Sequence, residues 1–512
     1  MSEDLDSSKS KRIAINTIVL YIRMIFLMAI SLYTSRVLLS TLGVVDYGIQ
    51  NVVGGFVTMF SLISGTMSTT ISRFLTYEMG KGNDTYIKTV FSTSVNIQIC
   101  FAIFIFILAE GFGVWFLNNK MVIPDDRLYA ANWVFQCSLI AFCINLISVP
   151  YNAAIIAHER MSSFAYISIL EAVLKLLIVF LITISTYDRL IIYSILLCIV
   201  ALVIRFIYGF YCNKKFEECK YHYILDKPLL KQMFVFAGWN YLGAGASIFR
   251  TQGLNVLMNL FFGATVNAAK GLVTQVESAV TQFVGNFTMA INPQIIKSYA
   301  SGDKNYMFQL VCMGAKYSYF LMLLMALPLI TEAPYVLQLW LEEVPDYTVV
   351  FLRLTLLTVT IDVLSNTLVT SMQACGDIKK YQITIGTIVL MVFPISYILF
   401  KIGFPPYSCY VVCAVALVVK LLFQLPLIKN MVGLPIKMYI KNVIIKIIVV
   451  SVLVAPASIV IMNIMDEGFL RLVINIVVVV IWGLMCIYLL GTEKNERLFI
   501  NARICRLFHI KM

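Results

Sequence analysis

Apolar runs of around 20 residues recur along the whole chain, and that recurrence limits what it can fold into. Runs of this length cross the hydrocarbon core of a bilayer as helices, because a helix satisfies its own backbone polar groups where no water can. Composition agrees, since 60% of the 512 residues are hydrophobic and only 13% are charged, with a mean hydropathy of +0.88. The expected fold class is an all-α integral membrane protein. The polar N-terminus ends in "KSKR", and the run after it is too long for a signal-peptide core and has no small-residue cleavage site, so it is expected to stay as the first helix. Twelve cysteines without a CxxC pair, and three distant histidines (His158, His222, His509), indicate neither a disulfide framework nor a zinc site. No metal, cofactor or nucleic-acid partner is expected.

Bounding the runs by charges and turn residues predicts 14 transmembrane helices, centred near residues 26, 62, 102, 140, 173, 200, 247, 280, 320, 360, 391, 417, 452 and 478. An even count puts both termini on one side. Connections on that side carry 24 lysines and arginines, including Arg73, Lys214 and Lys379, while the opposite side carries 4: Lys120, Arg127, Arg189 and Lys401. By the positive-inside rule both termini are expected in the cytoplasm.

The other 11 of the 39 basic residues fall inside the spans, where the only acids are Glu171, Glu277 and Asp362. Arg205, Lys316, Arg353, Lys420, Lys446 and Arg471 lie near helix ends and are expected to snorkel to the headgroups. Arg23, within "VLYIRMIFLMAI", is too central for that, as are Lys175 and Arg250. A mid-membrane arginine costs about 2.5 to 3.5 kcal/mol even on the lenient insertion scale, so an unpaired cationic surplus points to function. Glu171 and Lys175, at i and i+4, read as a self-neutralising structural pair.

An internal repeat is legible at an offset of 220: "GVVDYGIQNVVGGFVTMFSLISGTMSTTIS" (43–72) lies over "GATVNAAKGLVTQVESAVTQFVGNFTMAIN" (263–292), with Gly82 over Gly302 and Tyr86 over Tyr306. A second match, at offset 217, sets "AHERMSSF" (157–164) over "ACGDIKKY" (374–381). Both imply a six-helix unit used twice in the same direction, as in parallel-repeat transporters. The expected division is an N-lobe over 1–215, a C-lobe over 216–430, and two further helices with a tail over 431–512.

Polar stripes run along several of these helices. The eighth carries Lys270, Thr274, Glu277, Thr281 and Thr288; the first carries Asn16, Arg23 and Thr34; the second carries Gln50, Ser61 and Ser68. In lipid such stripes must face protein or water, so these helices, with the seventh carrying Arg250, are expected to line a shared cavity between the two lobes, although serine and threonine alone also serve as helix-packing glue. Asp362 and Glu277 are the candidates for an ion-coupling site, for Na⁺ or H⁺.

Together with this six-plus-six-plus-two pattern, "LGVVDYG" (42–48), "SRF" (72–74), "AINPQIIKSYASGD" (290–303) and "QACGDIKKY" (373–381) give a sequence that resembles the O-antigen (Wzx-type) polysaccharide flippases. These belong to the multidrug/oligosaccharidyl-lipid/polysaccharide exporter (MOP) superfamily, and the resemblance covers nearly the whole chain. It implies two lobes alternating around a cationic cavity that accepts an undecaprenyl-diphosphate-linked oligosaccharide, in the bacterial inner membrane. Arg23 and Arg250 fit the functional arginines on the first helix of each lobe, and Arg36, Arg73 and Lys270 fit more loosely. Asp377 stands where many relatives carry a basic residue, so no substrate contact is assigned there.

Besides the substrate and membrane lipids, other polysaccharide-assembly membrane proteins are the implied partners. A multidrug exporter of the same fold would be expected to carry acids on the first helix, which has none. A polysaccharide polymerase or ligase would need a sizeable external loop, and no external connection exceeds about 20 residues. The chain is therefore read as a transporter and not an enzyme.

Overall fold

A computed structural model of the chain describes residues 2–58, 61–119, 123–184, 187–224, 226–341, 344–493 and 496–497, and all regular structure among them is helical. Ten helices there are long and apolar enough to cross a membrane, which makes this a multi-pass membrane protein. They are α3 (Thr85–Asn119), α4 (Asp125–Ala157), α5 (Met161–Ile184), α6 (Arg189–Lys215), α9 (Lys304–Thr331), α10 (Thr348–Cys375), α11 (Lys379–Ile402), α12 (Ser408–Met431), α13 (Ile436–Ile464) and α14 (Phe469–Gly491). Four more polar segments complete the order: α1 (2–42) and α2 (described over 44–58 and 61–81) on either side of Gly43, and α7 (227–262) and α8 (264–300) on either side of Gly263. All the expected spans are thereby accounted for.

The repeat shows in backbone detail. Gly43 and Gly263 have φ of 78° and 80°, which L side chains rarely adopt, so each lets one helix turn directly into the next. The turns after α2 and α8 match too, with Gly82 and Gly302 at φ 73° and 81°, and with the Asn83 and Asp303 side chains accepting from the N–H groups of Tyr86 and Tyr306. Burial along 71–80 and 291–300 is the same position by position. At the second offset, Glu159 (φ 59°) and Gly376 (φ 91°) both have positive φ.

The chain packs as two compact units, Ile13–Tyr241 and Leu242–Met512 with Met1–Arg12. In the first, α4 is central: half of its apolar window is buried, against 22% for α3 and α5, with Val134, Leu139 and Leu146 in the core. In the second, α9 is central, with 67% of its window buried, whereas its repeat counterpart α3 has 22%. The difference arises because α13 and α14, outside the repeat, pack against α9.

That packing corrects the snorkelling expectation. Arg471 donates to the buried Glu332 carboxylate at 2.8 Å, in a network with Asn475, Thr331 and Ser458. Lys316 is fully buried and bonds Glu496 at 2.8 Å, Lys446 reaches Glu493 at 3.4 Å, and Lys420 bonds Asp362 at 2.8 Å. Arg353 donates to the Ile330 carbonyl at 3.0 Å, and Arg205 lies 4.0 Å from the Tyr151 ring centroid. These cations take protein partners: a carboxylate for Arg471, Lys316, Lys446 and Lys420, a carbonyl for Arg353 and a ring for Arg205.

Candidate substrate cavity

Arg23 projects from α1 into a cavity of about 890 Å³ inside the first unit, enclosed by α1, α2, α4, α5 and α6. Leu27, Ile30, Thr34 and Leu38 follow it at helical spacing on the same face, so Arg23 and Thr34 of the sequence stripe line a cavity within the first unit, whereas the expected cavity is one shared by both lobes. Its guanidinium packs over the Phe164 ring, 4.6 Å from the centroid. Gln50 enters from α2, and Asn145 and Ser138 from α4.

Ser168, Glu171, Ala172 and Lys175 form the α5 wall, at i, i+3, i+4 and i+7. Glu171 and Lys175 do pair, at 2.7 Å, as their spacing predicts. Reading the pair as structural alone misses its place, because both line the cavity and Glu171 lies within electrostatic reach of Arg23. Their signal was available in the sequence as the one face they share with Ser168 and Ala172.

Three buried polar atoms on this lining have no hydrogen-bond partner among the described residues: Arg23 Nε, Thr34 Oγ1 and Gln50 Oε1. Buried polar groups are normally satisfied. Each of these atoms has almost no accessible surface and so meets a ligand only when its side chain turns into the cavity, where Arg23 and Lys175 stand beside the Glu171 carboxylate.

The other predicted residues fall elsewhere. Asn16, on the same stripe as Arg23, is buried and donates to the Glu159 carbonyl at 3.1 Å, fastening α1 to the turn before α5 rather than lining the cavity. Arg73 is buried with its guanidinium 4.5 to 5.5 Å from the rings of Phe74, Tyr77 and Phe236, a packed cationic core residue outside the cavity lining. Ser68 also lies outside that lining. The side chains of Arg36 and Ser61, and the tail from residue 498, are outside the described residues.

In the second unit, Arg250, Lys270, Glu277, Asp362 and Lys420 form a charged cluster. Glu277 lies in the field of Arg250, Asp362 and Lys270. The buried Lys270 ammonium bonds the Thr251 carbonyl at 3.3 Å. Asp362, which looked unpaired in the sequence, is held by Lys420. The Glu277 carboxylate has neither an ion pair nor a side-chain hydrogen bond among the described residues. Thr274 and Thr281 bond back to the Lys270 and Glu277 carbonyls of their own helix, at 2.9 and 2.8 Å.

Asp46, inside the "LGVVDYG" motif, was not singled out by charge. Its carboxylate takes a bidentate grip from Arg127, which also donates to Asp188 at 2.6 Å, while Arg189 donates to the Thr41 carbonyl at 3.1 Å. These bonds brace the Gly43 turn against the starts of α4 and α6, and so fix how α1 and α2 present Arg23 and Gln50.

Solved structures of similar shape are MATE transporters. One, described as an outward-facing multidrug resistance MATE family transporter of the MOP superfamily, has a TM-score of 0.70 at 11% identity, covering 81% of this chain and 96% of that one. MATE in the straight conformation gives 0.71 at 12% identity, covering 83% and 97%, and MATE in the bent conformation gives 0.70 at 13%, covering 83% and 96%. No family model and no curated protein matches the sequence. The fold is thus the MATE fold of two six-helix lobes, here with α13 and α14 in addition.

Proposed function

We propose that this protein is an exporter of the MOP type, and that it is a flippase carrying an undecaprenyl-diphosphate-linked oligosaccharide across the bacterial inner membrane by alternating access. The observation that carries this reading is that Arg23, Gln50 and Thr34 share the wall of one cavity. A sugar diphosphate supplies the complement of each: phosphate oxygens for the Arg23 guanidinium, and sugar hydroxyls that donate to Gln50 and Thr34. Guanidinium suits phosphate because its planar fork donates twice. Arg250 and Lys270 would serve the same anion at a later stage, from the C-lobe.

Orientation with both termini in the cytoplasm, and coupling to Na⁺ or H⁺, are part of the proposal. Glu277 is the preferred coupling residue, since Asp362 is committed to Lys420.

A second reading, a cation-coupled multidrug exporter, draws on Glu171, the single acid on the cavity wall. The two separate by ligand charge. Binding of undecaprenyl diphosphate to purified protein should weaken about tenfold to hundredfold in Arg23→Ala, the loss expected for one buried charge-assisted hydrogen bond. Unchanged binding of that anion, with cationic drugs bound through Glu171, would favour the exporter of drugs.

A further inference from the structure

The segment joining α6 to α7 is strapped onto the first unit. Phe216 and Cys219 are buried, and the His158 ring stacks flat on Phe216 with centroids 3.9 Å apart while its Nε2 meets the Glu218 carboxylate. The His222 N–H donates to Ser92 Oγ at 3.3 Å. Asn96 of α3 donates to the Ile224 carbonyl at 2.9 Å and accepts from the Tyr221 hydroxyl at 2.7 Å. Such fastening fixes which side of the strap faces outward.

That outward side is more basic than its sequence. Lys214, Lys215, Lys220, Lys227 and Lys231 are all exposed. Of the three acids in the same stretch, Glu218 is turned to His158, and Asp226 caps α7 by accepting from the Leu229 N–H at 3.0 Å. Glu217 is the one acid left exposed among the described residues of the strap. Around the lysines stand exposed aromatics: Phe206 (73%), Phe210 (71%) and Tyr223 (80%). Because α6 is a membrane span ending at Lys215, these groups sit at a membrane face. Aromatic rings there lie at headgroup level, and each juxtamembrane lysine strengthens attraction to an anionic leaflet about fivefold.

We propose that this strap is a binding site for anionic phospholipid headgroups, with Lys214, Lys215 and Lys220 on the phosphates and Phe210 and Tyr223 at the acyl boundary. The site does not depend on what the chain transports. Its consequence is that the end of α6 and the start of α7 are anchored to the leaflet.

The test uses the full chain in phosphatidylcholine vesicles carrying a small fraction of photo-crosslinkable phosphatidylglycerol or photo-crosslinkable phosphatidylcholine, with labelled peptides mapped by mass spectrometry. Labelling of the strap peptides by the anionic lipid should exceed that by the zwitterionic one about tenfold or more. It should fall to the zwitterionic level in about 0.5 M NaCl, which screens such contacts. The triple variant Lys214→Gln, Lys215→Gln, Lys220→Gln should lose the preference at low salt with an unchanged melting temperature. Equal labelling by both lipids in the wild type would overturn the site, as would a preference that survives high salt. The wild-type salt series decides the matter even if the variant folds poorly.

Discussion

Arg23 was legible from the sequence because a charge in the middle of an apolar helix has few explanations, and the structure gives it a cavity, an aromatic platform and an orphaned Nε. Arg23→Ala should export poorly while being made and melting normally; Arg23→Lys should keep part of the activity, since charge survives and the bidentate geometry is lost. A fall in melting temperature parallel to the loss of export would instead make Arg23 a packing residue. The lysines and arginine near helix ends were harder to read. Lys316, Lys446 and Arg471 looked like snorkelling groups because their partners Glu496, Glu493 and Glu332 belong to helix ends and connections, which sequence reading assigns to water. Removing one member of a buried pair leaves the other uncompensated. Arg471→Met should therefore cost about 3 to 5 kcal/mol, and adding Glu332→Gln should restore part of it, as read by thermal melting in detergent.

At the scale of elements, the repeat was legible in a few glycines, and the reason is physical: an α-to-α turn without a loop needs a positive φ. Gly43 and Gly263 meet no neighbour that a Cβ would strike, so alanine there is opposed by backbone strain alone. Each of Gly43→Ala and Gly263→Ala should cost about 1 to 3 kcal/mol of thermal stability, because φ near 80° with ψ near 180° is a region essentially only glycine adopts. The packing of α13 and α14 on α9 was not legible, because their apolar faces read alike toward lipid and toward protein. The strap after α6 was also invisible to periodicity, being held by scattered side chains. There burial raises the Glu218 pKa, but its bonds to His158 and its own backbone N–H, with Lys88 nearby, bring it below the usual carboxylate range. A depressed acid pKa stabilises above its unfolded value, about 4.3, and loses that contribution as pH falls through the lower folded value. Amide exchange protection over 216–224 should thus hold from neutral pH down to about 5 and fall only in stronger acid. Loss of protection already at pH 6 would contradict this.

For the whole molecule, helix number and order were readable because bilayer thickness fixes span length. The proposed orientation rests on the basic asymmetry and can be checked by cysteine labelling from outside, which should reach positions near Asp125, Pro345 and Asp466 and not those near Lys214. If a gradient drives transport through Glu277, Glu277→Gln should abolish the gradient dependence while substrate still binds. The central claim is that the chain moves a lipid-linked sugar anion by way of Arg23. Its most direct test is a strain lacking the gene, complemented with wild type or Arg23→Ala at equal protein level, in which lipid-linked oligosaccharide on each leaflet is measured. The account predicts accumulation on the cytoplasmic leaflet without the gene, clearance by the wild type and persistent accumulation with Arg23→Ala; no accumulation on deletion, or normal clearance by Arg23→Ala, would contradict it.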